Sequence, residues 1–272
     1  VTGEEPIGNT LDSRAAPEIF GAGDGADRLD LPPGFELVAL REGGDAFAHA
    51  QTIASQRGAG TIVWVKRFDL VEFAVVLEPD EPLLSARRAF YACMCAMADS
   101  LAVYCPPEKP VHFHWPDAML FDHGLIGGGR LAWPEGAPED QPPEWLVFGG
   151  MMRTAVVRNN ESGISLEPGT WTVGTALEVE GFEAIDPGAL VESFCRHLMV
   201  HVDAWAERGF RRVGREWLAR LPKSEGLKRG IDGNGDLLVH EAGKDGAAER
   251  QHFLTALAKA DWYDAENREP KL

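Results

Sequence analysis

The chain has 272 residues, 44% apolar and 25% charged, proportions that exclude both a wholly disordered chain and a fibrous repeat. With 43 acidic against 26 basic residues its net charge is −17, which argues against nucleic acid or an anionic membrane as partner, because neutralising phosphates requires a dense basic face. The length suits one large domain, or a large domain with a small companion.

Residues 1–30 are rich in Gly, Ala, Asp and Glu without a sustained apolar period, so an N-terminal arm is expected there. After Leu31-Pro32-Pro33-Gly34, residues 35–40 alternate like a first strand. Asp45 stands where a helix N-cap would, and a helix over about 46–56 should end near Gly58. Residues 61–65 and 73–77 are β-branched and apolar, which predicts two strands joined through Lys66 and Arg67.

Apolar positions at helical spacing predict a core helix from Ser85 to about Val103, and His112 and His114 lie on one face of a strand over 111–115. A hairpin is expected over 118–133 with its turn at Gly127-Gly-Gly129, followed by an acidic, Pro-rich loop at 134–144. Residues 144–148 and 152–157 read as two further strands. Asp186-Pro187 opens a long helix to about Arg208, a short helix follows near 213–221, and 223–241 reads as strand, turn and strand. A last amphipathic segment is expected near 248–263.

Several tempting sites fail on chemistry. Asp232, Asn234 and Asp236 begin like a calcium loop, but positions six and twelve hold Leu237 and Gly243 instead of Gly and Glu, so a hairpin turn is expected. His197 and His201 have zinc-ligand spacing, yet Leu198 stands where a metalloprotease needs its Glu, and no metal site is assigned. Cys93, Cys95, Cys105 and Cys195 form no CxxC pair and read as reduced, packed thiols. No apolar run reaches the length of about 20 residues that a membrane span needs, and no signal peptide is evident, so a cytoplasmic location is expected.

Three segments in order carry a resemblance: His114-Trp-Pro-Asp117, then Leu125-Ile-Gly-Gly128, then Val147-Phe-Gly-Gly-Met-Met152. Together with Gly230-Ile-Asp-Gly-Asn-Gly-Asp-Leu-Leu-Val239, their order resembles the biotin/lipoate A/B protein ligase family, whose signature runs from KWPND through a K(I/L)xGIL hairpin to GIGIN. The resemblance implies an α+β fold, the mixed, mainly antiparallel sheet flanked by helices of biotin ligases and class II aminoacyl-tRNA synthetases, with a small C-terminal SH3-like β module. It divides the chain into an arm at 1–30, a core domain at 31–222 and a small domain at 223–272.

The resemblance further implies that a small carboxylic acid such as biotin or lipoate binds, that ATP and Mg²⁺ activate it to an acyl-adenylate, and that a carrier-domain lysine accepts it. Pyrophosphate departure concentrates negative charge and calls for fixed cations. Ligand-binding residues are expected among Arg57, Lys66, Arg67, Trp115, Asp117, Gly127, Gly128, Arg130, Gly149 and Gly150. No catalytic residue is assigned, because Leu125 occupies the position of the family lysine and only 66–72 remain where the family carries its Arg- and Gly-rich loop. Weak or altered adenylation is one expectation; a non-catalytic ligase-fold protein that binds a small ligand or a partner protein is the alternative.

Overall fold

Local signals place most of the elements. The computed structural model describes residues 29–105, 109–156, 174–182, 185–243 and 247–272, so the expected arm lies outside the described residues except for Leu29 and Asp30. Strand β1 (Glu36–Leu40) leads to helix α1 (Ala46–Arg57), whose Asp45 cap accepts a hydrogen bond from Ala48 N at 2.8 Å. Strands β2 (Thr61–Val65) and β3 (Leu70–Leu77) follow, and β3 begins three residues earlier than the apolar run suggested. Leu70 and Glu72 are drawn into the ladder opposite Arg153 and Met151.

The single helix expected over 85–103 is two: α2 (Leu83–Ala86) and α3 (Ala89–Ala102). They part where Arg87, only 3% exposed, turns to a bidentate pair with Glu139 at 2.6 Å and covers the Trp133 ring at 4.2 Å. The acidic loop is thus pinned to the helix break by one guanidinium.

Strands β4 (Val111–His114), β5 (Ala118–Phe121), β6 (Gly124–Ala132) and β7 (Leu146–Arg153) complete the large sheet. Two expectations are corrected here. The hairpin turn is Asp122-His123, both at positive φ (45° and 75°), while Gly127, Gly128 and Gly129 lie inside β6. Likewise 144–148 and 152–157 are not two strands, because Gly149 and Gly150 continue one strand, β7. Glycine here serves close packing rather than turning: a Cβ on Gly128 would sit 2.5 Å from the Trp262 indole. Because the left-handed backbone costs a non-glycine residue about 1–2 kcal/mol, His123→Gly is expected to stabilise the fold by up to about 1 kcal/mol, read by urea unfolding.

The sheet order is β1-β2-β3-β7-β6-β5-β4, with only β1 and β2 parallel. It is a mixed, mainly antiparallel α+β sheet. Helix α4 (Pro187–Arg208) starts at its Asp186 cap, and α5 (Arg211–Leu218) follows Gly209. Helices α3, α4 and α5 cover one face around Phe73, Phe90, Phe148, Phe194 and Trp217. Asp99 on α3 ties the helices together, accepting from His201 Nε2 of α4 at 2.7 Å and from Arg220 just beyond α5. Burial raises the Asp99 carboxyl, but these hydrogen bonds outweigh it and hold it below its usual range.

The opposite face is shared. Helix α1 covers the β1-β2-β3-β7 half through Ala46, Ala50 and Ala54. The rest of the chain forms β8 (Leu227–Ile231), β9 (Leu237–Glu241) and β10 (Glu249–Gln251), a three-stranded antiparallel sheet, then α6 (Phe253–Leu257) and the short pair β11 (Tyr263–Asp264) and β12 (Glu269–Pro270). The expected amphipathic segment is therefore mostly not helical: α6 spans five residues. The Asp232–Asp236 turn is a hairpin turn in which Asp232 Oδ1 accepts from Asn234 N and Asp236 N. Phe253 and Leu237 enter the main core, Tyr91 of α3 donates to Gly235 O at 2.6 Å and β8 packs on α5, so the three-stranded unit joins the α3-α5 side, and the chain from Trp262 onward is the part that lies on the α1 face. No helix among the described residues is long and apolar enough to cross a membrane.

Candidate functional site

The three resemblance segments lie on neighbouring strands, from β7 through β6 to the β4-β5 link, in the half of the sheet that α1 leaves uncovered. There the C-terminal residues 262–272 lie across β7, β6 and β5, and Trp262, only 2% exposed, packs with Leu70, Ala118, Leu120, Leu125 and Met151. Beneath this strap stand three arginines. Arg67 forms a bidentate pair with Asp69 at 3.0 and 2.7 Å. Arg130 is held between the rings of Phe47 (4.5 Å) and Tyr263 (4.4 Å). Arg153 pairs with Glu269 at 3.4 Å and donates to Pro270 O. Buried Glu72 accepts from Ala46 N at 2.8 Å, and desolvation pushes its carboxyl up.

The connector between β2 and β3 is only Lys66–Asp69, and it is folded down: Thr154 Oγ1 donates to Phe68 O at 2.6 Å, and Thr154 N to Asp69 O at 2.9 Å. Four residues pinned in this way cannot close over a ligand. The strap covers the face instead.

At the β4-β5 end the strap and α6 enclose a cavity of about 750 Å³, within the range of small-molecule sites. Its walls include Trp115, Asp117, Leu120 and Leu125 from the sheet, with Lys259 and Lys271 from the C-terminal segment. Asp117 is 4% exposed and its Oδ2 has no hydrogen-bond partner; the Trp262 Nε1–H, which lies close by, also goes without one. Desolvation pushes the Asp117 carboxyl up to about 7, and the nearby indole only partly offsets this. A carboxyl that keeps its proton below about pH 7 can there donate a hydrogen bond to a ligand carbonyl or carboxylate. The two exposed lysines offer counter-charge, and Leu120 and Leu125 an apolar wall.

The structure divides the sequence-predicted site residues into groups. Arg67, Asp117, Gly128 and Arg130 lie beneath the strap or beside it, and Trp115 and Asp117 line the cavity. Gly127 lies against the Met151 backbone in the neighbouring strand. Gly149 receives the Phe47 ring on the α1 face, whereas Gly150 points to the opposite core, against Phe73 and Met97. Trp115 also reaches that core, near Tyr91, Trp217 and Phe253. Lys66 follows β2, with its N–H on Leu40 O. Arg57 sits at the other end of β2 with Glu36, at 3.9 Å, and does not join the group.

Sequence reasoning missed Arg153, Lys259, Trp262, Glu269 and Lys271. The one available signal was the Trp262-Tyr263 aromatic pair in an otherwise polar C-terminal stretch. The thiols stay out of the site: Cys93, Cys95 and Cys195 are fully buried, and burial pushes all three up, Cys195 to about 12.

Known proteins share this fold. The model of the biotin/lipoate A/B protein ligase family matches residues 31–219. A biotin–[acetyl-CoA-carboxylase] ligase of Paracoccus denitrificans is 25% identical over 236 residues, 79% of this chain and 89% of that protein. Among solved structures, a biotin protein ligase-like protein of unknown function from Silicibacter superposes with a TM-score of 0.70 at 24% identity, covering 84% of this chain and 99% of that one. The Aquifex aeolicus biotin protein ligase in complex with biotin and ATP superposes at 0.56 with 13% identity, covering 79% and 94%. With the family model spanning most of the chain and the sheet, hairpin and glycine strands in the order that the motifs require, this chain belongs to the biotin/lipoate A/B protein ligase family.

Proposed function

We propose that this protein binds a small carboxylic acid of the biotin or lipoate type in the cavity between β4-β5 and the C-terminal segment. In this reading residues 31–222 form a ligase-like core and 223–272 a small domain that supplies the closing wall. The observation that carries it is the buried Asp117 carboxyl, its Oδ2 without a hydrogen bond, on a cavity whose lysines among the described residues, 259 and 271, come from the C-terminal segment. The neutral Asp117 donates to one end of the ligand, the lysines neutralise its carboxylate, and the aliphatic part lies on Leu120 and Leu125.

The phosphates of ATP fit the observed arrangement poorly: the arginines that would receive them are committed to Asp69, Glu269 and two aromatic rings. A second reading, adenylation of the bound acid before transfer to a carrier-protein lysine, is favoured by one observation: Glu269 pairs with Arg153 (3.4 Å) and lies 3.9 Å from Arg67, so lifting the strap would free Arg153 and take one carboxylate away from Arg67, which keeps its pair with Asp69.

Calorimetry with biotin, lipoate and octanoate tests the binding reading. One of these acids is expected to bind with Kd below about 1 mM, and Lys259→Ala/Lys271→Ala to weaken it about tenfold. Absence of heat with every acid, or an unchanged affinity in the double variant, would sink it. Pyrophosphate release on adding ATP and Mg²⁺ decides the second reading separately.

A further inference from the structure

The basic residues of this acidic chain are not evenly spread. Eight of its 26 Lys and Arg fall within 208–229, against two acidic residues in the same stretch. That stretch runs through α5 and into β8, and between them lies a second, larger groove of about 1090 Å³, remote in sequence from the strap. Its rim carries Arg88, Arg211, Arg215, Lys223 and Arg229, and its floor is apolar, with Phe210, Leu218 and Leu221.

The state of these charges matters more than their number. Arg88 is paired with Glu81 at 2.9 Å, and Arg229 is held by Pro222 O and Ser224 Oγ. Asp232, one of the two acids on the rim, is spent on the turn amides and on Arg250. Arg211, Arg215 and Lys223 make no ion pair or hydrogen bond among the described residues, and all three are exposed. Within a field of net charge −17, three unpaired cations beside an apolar floor form a local site for an anion.

We propose that this groove docks an extended acidic polypeptide segment of a partner protein, one with carboxylates at alternate positions and an apolar residue between them. Arg211 and Arg215 stand one helical turn apart, about 6 Å along the axis, and alternate side chains of an extended chain are about 6.6 Å apart on one side. Residues of the opposite parity then face the groove floor. Duplex DNA is disfavoured, because the acidic remainder of the surface repels its dense charge and an apolar floor offers nothing to a phosphate backbone.

The test is fluorescence anisotropy on the full chain. The probe is a labelled ten-residue peptide with Glu at alternate positions and a central Leu, beside a Lys-for-Glu counterpart and a 20-base-pair duplex. The acidic peptide is expected to bind with Kd below about 100 µM at about 50 mM salt and to weaken at least fivefold at about 300 mM, since exposed charges are screened there. Arg211→Glu/Arg215→Glu should reduce affinity more than tenfold, with Arg211→Gln/Arg215→Gln intermediate and the circular-dichroism melts of both variants close to that of the parent. Equal binding of the acidic and basic peptides, an unaltered affinity in the reversed variant, tighter binding of the duplex, or no peptide binding below about 1 mM would each overturn the proposal.

Discussion

Asp117→Asn is expected to abolish a pH dependence of stability that the parent protein shows between about pH 4 and 7. The unfolded chain ionises this carboxyl near its ordinary 3.8, whereas the folded chain holds its proton up to about 7 because burial penalises the charged form by more than its few neighbouring donors restore. Between those values the native state binds more protons than the unfolded state, so stability falls as pH rises and levels off above 7. A displacement from 3.8 to about 7 corresponds to about 4 kcal/mol by pH 8. The amide of Asn, itself buried and incompletely bonded, retains a cost of about 1–3 kcal/mol, so the variant should be more stable than the parent by about 1–3 kcal/mol at pH 8 and less stable below pH 4. Urea unfolding of both proteins across pH 3.5–8.5 reads this directly, and parallel curves would contradict it. The same proton is the donor in the proposed ligand contact, so acid binding should weaken about tenfold per pH unit above about 7.

Trp262→Ala should free the strap. The indole is 2% exposed and packs over Gly128 with Leu70, Leu120, Leu125 and Met151, so its truncation removes about 3–5 kcal/mol of packing. Because the segment's own secondary structure is only the two-residue pair β11-β12, that loss falls first on local opening: amides of 259–272 should exchange about two to three orders of magnitude faster while those of α3 stay protected. Gly128→Ala should act in the same direction, because its new methyl would stand 2.5 Å from the same indole. Unchanged exchange in both variants would show that the strap does not rest on this contact. Release of Glu269 and Pro270 from Arg153 accompanies opening, so Trp262→Ala is also the background in which pyrophosphate release is most informative.

How much of this was legible beforehand depends on the range of each signal. Asp45 and Asp186 announce their helices within three residues, and the apolar stripe of α4 repeats on its own period. The glycines misled for the opposite reason. Gly127, Gly128, Gly149 and Gly150 look like turn residues in a linear reading, but the demand they meet is steric and comes from partners such as Trp262 and Phe47 in other elements. The turn that does occur, Asp122-His123, lacks the glycine that usually marks a two-residue hairpin.

The sequence by itself determined the family, the capped helices α1 and α4 and the absence of a lysine and a long loop where the family carries them, since motifs, caps and periods are written in neighbouring residues. Only the tertiary structure decided what stands in their place. Asp117 and Trp262 are 145 positions apart, and Arg153 and Pro270 are 117 apart. Contacts at that separation leave no periodic trace in the chain, and the strap, its lysines and the enclosed cavity exist only because folding returns the C-terminal segment to the open half of the sheet.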